Sequence, residues 1–329
     1  MDMLGQTIFQ TIVVLFGALL TSACALLYFR RVRLERPPLG VFNPRDVGVL
    51  LFFIFALPLL YLVLPSVVLT SLLVVTFVSA LYLALRPFMS GRYLWPLIVF
   101  LLVANIVVTE TLLGTRQGWQ LYWVLTSAIV LVAAVGVSNL YVQGGMRLRH
   151  IAWFALILAF YDGFFNLVIP ISLKLADRFE GQPLDPSIGF TMGVFSANIG
   201  LGDLLVYSLF IIAAYKGFGK RGVLASFIII TIFGSLLPAT SPLLITAFIR
   251  QNIGIAIPAQ AFFGPAAVVT YWLLSRRSPE RSMAQWMSEQ DAAGHEPIRV
   301  TRRTRPRLVA APRSVQPVVD IEVSAKRAG

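Results

Sequence analysis

Residues 196–210 read "SANIGLGDLLVYSLF": an apolar run that carries one carboxylate, Asp203, directly behind Gly200, Leu201 and Gly202. How this stretch is read decides the fold. If the run crosses a bilayer, the acid has to be explained, because a charge at the bilayer centre costs at least about 2.5 kcal/mol.

The whole chain supports a membrane setting. It has 329 residues, 57% hydrophobic and 13% charged, with a mean hydropathy of +0.80. A soluble domain is about 45–50% apolar and about 25% charged. Nine apolar segments stand out: 8–29, 47–64, 67–85, 93–113, 119–142, 150–172, 190–214, 223–249 and 256–274. Each is close to the roughly 20 residues that span about 30 Å of hydrocarbon as a helix. The fold class expected is therefore all-α, a polytopic membrane protein of nine transmembrane helices. "LPS" (64–66) alone separates the second and third, which implies a tight helical hairpin.

Charge orders the spans. Arg30, Arg31, Arg33, Arg36 and Arg45, then Arg86 and Arg92, then Arg147 and Arg149, then Lys216, Lys220 and Arg221 fall in alternate loops. The other loops hold only Arg116, Lys174, Arg178 and Arg250. The positive-inside rule puts the rich set in the cytoplasm, the N-terminus outside and the C-terminus inside. "MDMLGQTIFQ" lacks the basic start of a cleaved signal peptide, so the first segment reads as a retained helix.

The net charge of +12 lies mainly in loops and tail. It suits anionic lipid headgroups rather than a nucleic-acid groove. Residues 275–329 are rich in Arg, Pro, Ser and Ala and read as a basic disordered cytoplasmic tail, with "RVTRRTRPRLVAAPR" (299–313) near the headgroups. The single cysteine, Cys24, and the two histidines, His150 and His295, form no metal constellation, and no cofactor is expected. The chain divides into a five-helix region (1–149), a region of helices six to nine (150–274) and the tail.

Of the fifteen acids, Asp162 and Asp203 lie within spans, and Glu110 is near the outer end of the fourth. Asp162 is twelve residues past His150, about 18 Å along its helix. Asp203 precedes Lys216 by thirteen residues, about 20 Å on a helix running the other way. The two carboxylates thus share one depth. Neighbouring carboxylates in a low dielectric cannot both ionise cheaply, so they hold one proton between them. In that state one carboxylate activates water and the other protonates a carbonyl.

The flanking residues fit this chemistry. "AFYDGFF" (159–165) sets Tyr161 beside Asp162. Gly200 and Gly202 admit another backbone, although small residues also serve helix packing. "IAIPAQAFFGPAAVV" (255–269) opens the ninth span with Pro258, Ala259 and Gln260, backbone suited to aligning an extended peptide. "LLPATSPLL" (236–244) competes for that role.

These motifs together resemble the presenilin and signal peptide peptidase family of GxGD intramembrane aspartyl proteases. The resemblance rests on Tyr161-Asp162 in span six, Gly200-Leu201-Gly202-Asp203 in span seven and Pro258-Ala259 at the start of span nine. It implies a nine-helix, presenilin-like fold and catalytic Asp162 and Asp203. It also implies active-site support from Tyr161, Gly200, Leu201 and Gly202, and substrate contact at Pro258, Ala259 and Gln260. The implied substrates are single-pass transmembrane helices or remnant signal peptides. The outside N-terminus is similar to that of signal peptide peptidases. Three departures stand out: Gln260 replaces the leucine of a PAL motif, Leu204 follows the aspartate, and the loop between the catalytic spans is short. Arginine in place of lysine points to a GC-rich, prokaryotic genome and hence a cytoplasmic membrane. The rival readings are a proton- or cation-coupled transporter, which shares buried acids and broken spans, and an inactive relative that binds membrane helices.

Overall fold

A computed structural model describes residues 3–34, 44–168, 174–175, 178–192, 195–249, 258–292 and 298–300. Arg36, Arg250, His295 and the tail from 301 onward lie outside the described residues. The helices are α1 (Met3–Arg31), α2 (Pro44–Val63), α3 (Ser66–Leu85), α4 (Gly91–Leu112), α5 (Arg116–Gln143) and α6 (Leu148–Val168). They are followed by α7 (Leu201–Phe218), α8 (Lys220–Ile229), a π-helical segment (Ile230–Leu236), α9 (Leu237–Ile249), α10 (Ala259–Arg277) and α11 (Met283–Ala292). Six membrane-length apolar helices occur among the described residues, with α8 to α9 running as one. The protein is a helical, multi-pass membrane protein.

Local chemistry marks the ends. Thr115 Oγ1 accepts the Gly118 N–H at 3.0 Å and caps α5, and Arg30 and Arg31 fill the last turn of α1, where cations complement the helix dipole. α1 runs through the middle of the bundle, against α5, α7 and the π-helical segment. Its buried Ala18, Thr21, Ser22 and Ala25 allow close approach. Gly136 and Gly264 are among the glycines needed for packing. A Cβ at Gly136 would lie 2.5 Å from Ala84 Cβ on α3, and one at Gly264 would lie 2.5 Å from the Ala155 carbonyl oxygen on α6. The second close approach seats α10 along α6. One continuous apolar core joins α1, α3 and α5 to α6, α7 and α10.

One span differs from the expectation. Residues 190–192 and 195–200 are not helical; they belong to the antiparallel strands β2 (Ser187–Met192) and β3 (Phe195–Gly200), with Ser187 opposite Gly200 and Ile188 opposite Ile199. The sequence there alternates: Ala197 and Ile199 are buried while Asn198 and Gly200 are not. The strands satisfy each other's backbone, as a low-dielectric setting demands, and pack between α1 and α5. Hence α7 begins only at Leu201, whose N–H donates to the Pro186 carbonyl at 2.7 Å.

The start of the tail is also folded. Trp286 on α11 stacks at 4.6 Å from the Phe29 ring, Arg33 pairs with Asp291, and β4 (Ile298–Val300) runs parallel to β1 (Val32–Leu34). A single buried tryptophan in a polar stretch gives no periodic signal, so residues 278–292 read as disorder from composition.

Candidate active site

Three helices bring the sequence candidates together. Asp162 stands on α6, half-buried, with Tyr161 before it. Asp203 is in the first turn of α7, three residues past the N-cap Gly200. Gln260 is in the first turn of α10, whose N-cap is Pro258. The hairpin is what moves Asp203 from the expected mid-helix position to a helix N-terminus. There the unpaired N–H groups carry a partial positive charge of about half a unit, which favours a carboxylate.

The side chains connect across the helices. Gln260 Nε2 donates to Asp203 Oδ1 at 2.8 Å. α6, which carries Asp162, packs against both α7 and α10. No direct hydrogen bond joins Asp162 to Asp203 among the described residues. Tyr207 lies one turn after Asp203, fully buried, and its hydroxyl donates to the Gly234 carbonyl of the π-helical segment at 2.8 Å. Gln260 is itself buried, and its Oε1 has no hydrogen-bond partner among the described residues. One acceptor therefore remains beside the carboxylates.

The glycines flanking the acids are unlike Gly136 and Gly264. Among the described residues, a Cβ on Gly163, Gly200 or Gly202 would meet no atom within 4 Å. Packing against the described residues does not require them. Tyr161 is buried and packs edge-on to Phe55 of α2, ring centroids 4.4 Å apart. Leu201 anchors the start of α7 to the base of the hairpin. Pro258 and Ala259 are half-buried at the start of α10. The competing stretch 236–244 turns its hydroxyls to its own helix: Thr240 donates to Leu236 O and Ser241 to Pro238 O. Glu110 is exposed and apart from these groups.

The sequence reading missed Tyr207 and the direct role of Gln260. A tyrosine at i+4 from Asp203 was the available signal, since i and i+4 share a helix face. Asp185 was passed over as a loop acid, but it is buried on the far side of the hairpin. It accepts from Ser187 Oγ at 2.7 Å and from Tyr122 Oη at 3.2 Å. Burial raises its carboxyl to about 6, against the lowering effect of those two hydrogen bonds. Among the described residues no three His, Cys, Asp or Glu side chains gather as a metal site. Neither a family model nor a curated protein matches this chain, so its chemistry is read from these residues alone.

Proposed function

We propose that this protein is an intramembrane aspartyl protease that hydrolyses peptide bonds within transmembrane helices or remnant signal peptides. The observation that carries the reading is the bond from Gln260 to Asp203 at the start of α7, a helix that packs against α6, which bears Asp162. The two acids share one proton. One carboxylate takes a proton from water as its oxygen attacks the scissile carbonyl carbon. The other acid gives its proton to the carbonyl oxygen. The tetrahedral intermediate then collapses, the C–N bond breaks, and the amine leaves with a proton from the dyad.

Support comes from Gly163, Gly200 and Gly202, next to the acids in sequence, against which no described residue packs. A substrate helix shields its own peptide bonds and must unwind there. The free Oε1 of Gln260 is placed to accept from an unwound main chain. The finer reading is a presenilin-like, nine-span protein of a prokaryotic cytoplasmic membrane, N-terminus outside and C-terminus inside, on the charge pattern of the loops. The test is cleavage of a labelled transmembrane peptide by the reconstituted protein. Cleavage that survives Asp162→Asn or Asp203→Asn sinks the assignment.

One observation favours a transporter as the second reading. Asp203 and Gln260 both occupy helix N-termini inside the bundle, as substrate-binding groups of broken helices do. Ion-coupled flux in proteoliposomes without peptide cleavage selects that reading. Peptide binding without cleavage or flux selects the inactive relative.

A further inference from the structure

A cleft of about 290 Å³ opens on the flank of the bundle away from the aspartates. α1 lines it with Cys24, Leu27, Tyr28 and Arg31, α3 with Ala84 and Leu85, and α5 with Leu131, Val132 and Val135, while Phe88 closes one end. Tyr28 fixes the wall between α1 and α3, its hydroxyl donating to the Ala84 carbonyl at 3.1 Å. Its ring meets Phe88 edge-on at 5.5 Å.

The cleft has a depth and a polarity. Gln143, at the end of α5, donates to Val32 O at 3.0 Å and accepts from Leu34 N at 2.8 Å, so it is level with the end of α1. Val132 is eleven residues back along α5, about 16 Å deeper. That depth matches half of a hydrocarbon core about 30 Å thick. The walls are apolar along this length, and the only charged lining residue is Arg31 at the mouth. Arg31 is exposed and forms no hydrogen bond or ion pair among the described residues, whereas its neighbour Arg33 takes Asp291. Arg86, just past Leu85, adds a second cation at the same level, its guanidinium 5.5 Å from the Tyr82 ring.

We propose that this cleft is a binding site for one anionic phospholipid of the leaflet at the arginine-rich end. The phosphate pairs with Arg31, and an acyl chain lies along Leu27, Leu131 and Val132. An unpaired cation above an apolar trough one leaflet deep is complementary to that ligand and to little else. A zwitterionic lipid fills the same trough, but its headgroup cation opposes Arg31.

The test uses the full chain in detergent with phosphatidylglycerol or phosphatidylcholine, read by native mass spectrometry and thermal unfolding. Phosphatidylglycerol is expected to remain bound and to raise the unfolding midpoint, and phosphatidylcholine to do less. Arg31→Gln weakens the phosphatidylglycerol effect by about fivefold, the value of one interfacial cation. Arg92→Gln, an exposed cation outside the cleft, leaves it unchanged. Val132→Trp fills the trough and removes binding while Arg31 remains. The lone cysteine, Cys24, reports occupancy directly: phosphatidylglycerol slows its reaction with N-ethylmaleimide in the wild type but not in Val132→Trp. Equal effects of the two lipids, or equal effects of Arg31→Gln and Arg92→Gln, overturn the proposal. Unfolding without lipid, the same in wild type and Arg31→Gln, separates lost binding from lost folding.

Discussion

The two ends of helices α6 and α7 are built in opposite ways. At the arginine-rich end, several side chains tie the elements together. Lys216, wholly buried, donates from Nζ to the Met146 carbonyl at 2.6 Å and so ties α7 to the turn before α6. Glu280 accepts the Leu148 N–H at 2.7 Å, where a carboxylate also complements the helix dipole. Arg281 donates to the Gly217 and Tyr215 carbonyls, both at 3.2 Å. Some 20 Å along the helices, near Asp162 and Asp203, are glycines that no described residue packs against and an amide oxygen without a partner among the described residues. The bonded end sets the register of the two helices. At the other end the bond that crosses between helices runs from Gln260 to Asp203. The lesson is that ties between these two helices lie well away from the two acids.

This contrast can be broken by mutation. The largest effect is expected at the open end. Asp162→Asn and Asp203→Asn should each lower the cleavage rate by about a thousandfold, the scale of lost acid–base catalysis, with the unfolding midpoint nearly unchanged. Kinetics and a melt on the same sample check this.

The next effect concerns Asp185 and pH. Its carboxyl is raised to about 6, first by burial. Between about pH 4 and 6 the folded protein therefore keeps a proton that the unfolded chain has lost. Stability is highest below about pH 4, falls as pH rises through 6, and is level above. The difference is on the order of 2–3 kcal/mol. Asp185→Asn should flatten this slope in thermal melts at pH 4.5 and 7.5.

Lys216→Met tests the bonded end. It leaves the Met146 carbonyl without its partner, at a cost of about 1–3 kcal/mol. Because register is set there, cleavage should fall as well, although the substitution is about 20 Å from the acids. A variant that melts earlier but cleaves normally would separate stability from register.

Gln260→Leu is smaller. It removes the donor to Asp203 Oδ1, and a loss of about tenfold in cleavage, or about 1.4 kcal/mol, is expected from one hydrogen bond to a charged group. Gln260→Glu, which keeps the shape but not the donor, should fail to restore the rate.

The smallest stability effect distinguishes the two kinds of glycine. Gly202→Ala meets no atom and should leave the melt unchanged or raise it by up to about 1 kcal/mol. Gly264→Ala meets the Ala155 carbonyl at 2.5 Å and should lower it. Only the first should leave the fold intact while obstructing an entering substrate, which appears as a raised KM.

The six long apolar helices were legible because each is a long run of one character, and a helix satisfies its own backbone in lipid. Asp162 and Asp203 were legible because acids are rare in such runs. The hairpin at 187–200 was not. Its hydrophobic composition passes for membrane helix, and its two-residue alternation is short. The folded part of the tail was hidden because its order depends on Phe29 and Tyr215, more than fifty residues away, receiving Trp286.

The sequence by itself determined that this chain crosses a membrane several times and carries two acids within its apolar runs, because hydropathy is a local property. Only the tertiary structure decided that Asp203 stands at a helix N-terminus, that Gln260 bonds to it, and that Gly200 and Gly202 face open space. Those facts depend on where a strand ends and which helices touch, and residues distant along the chain settle both.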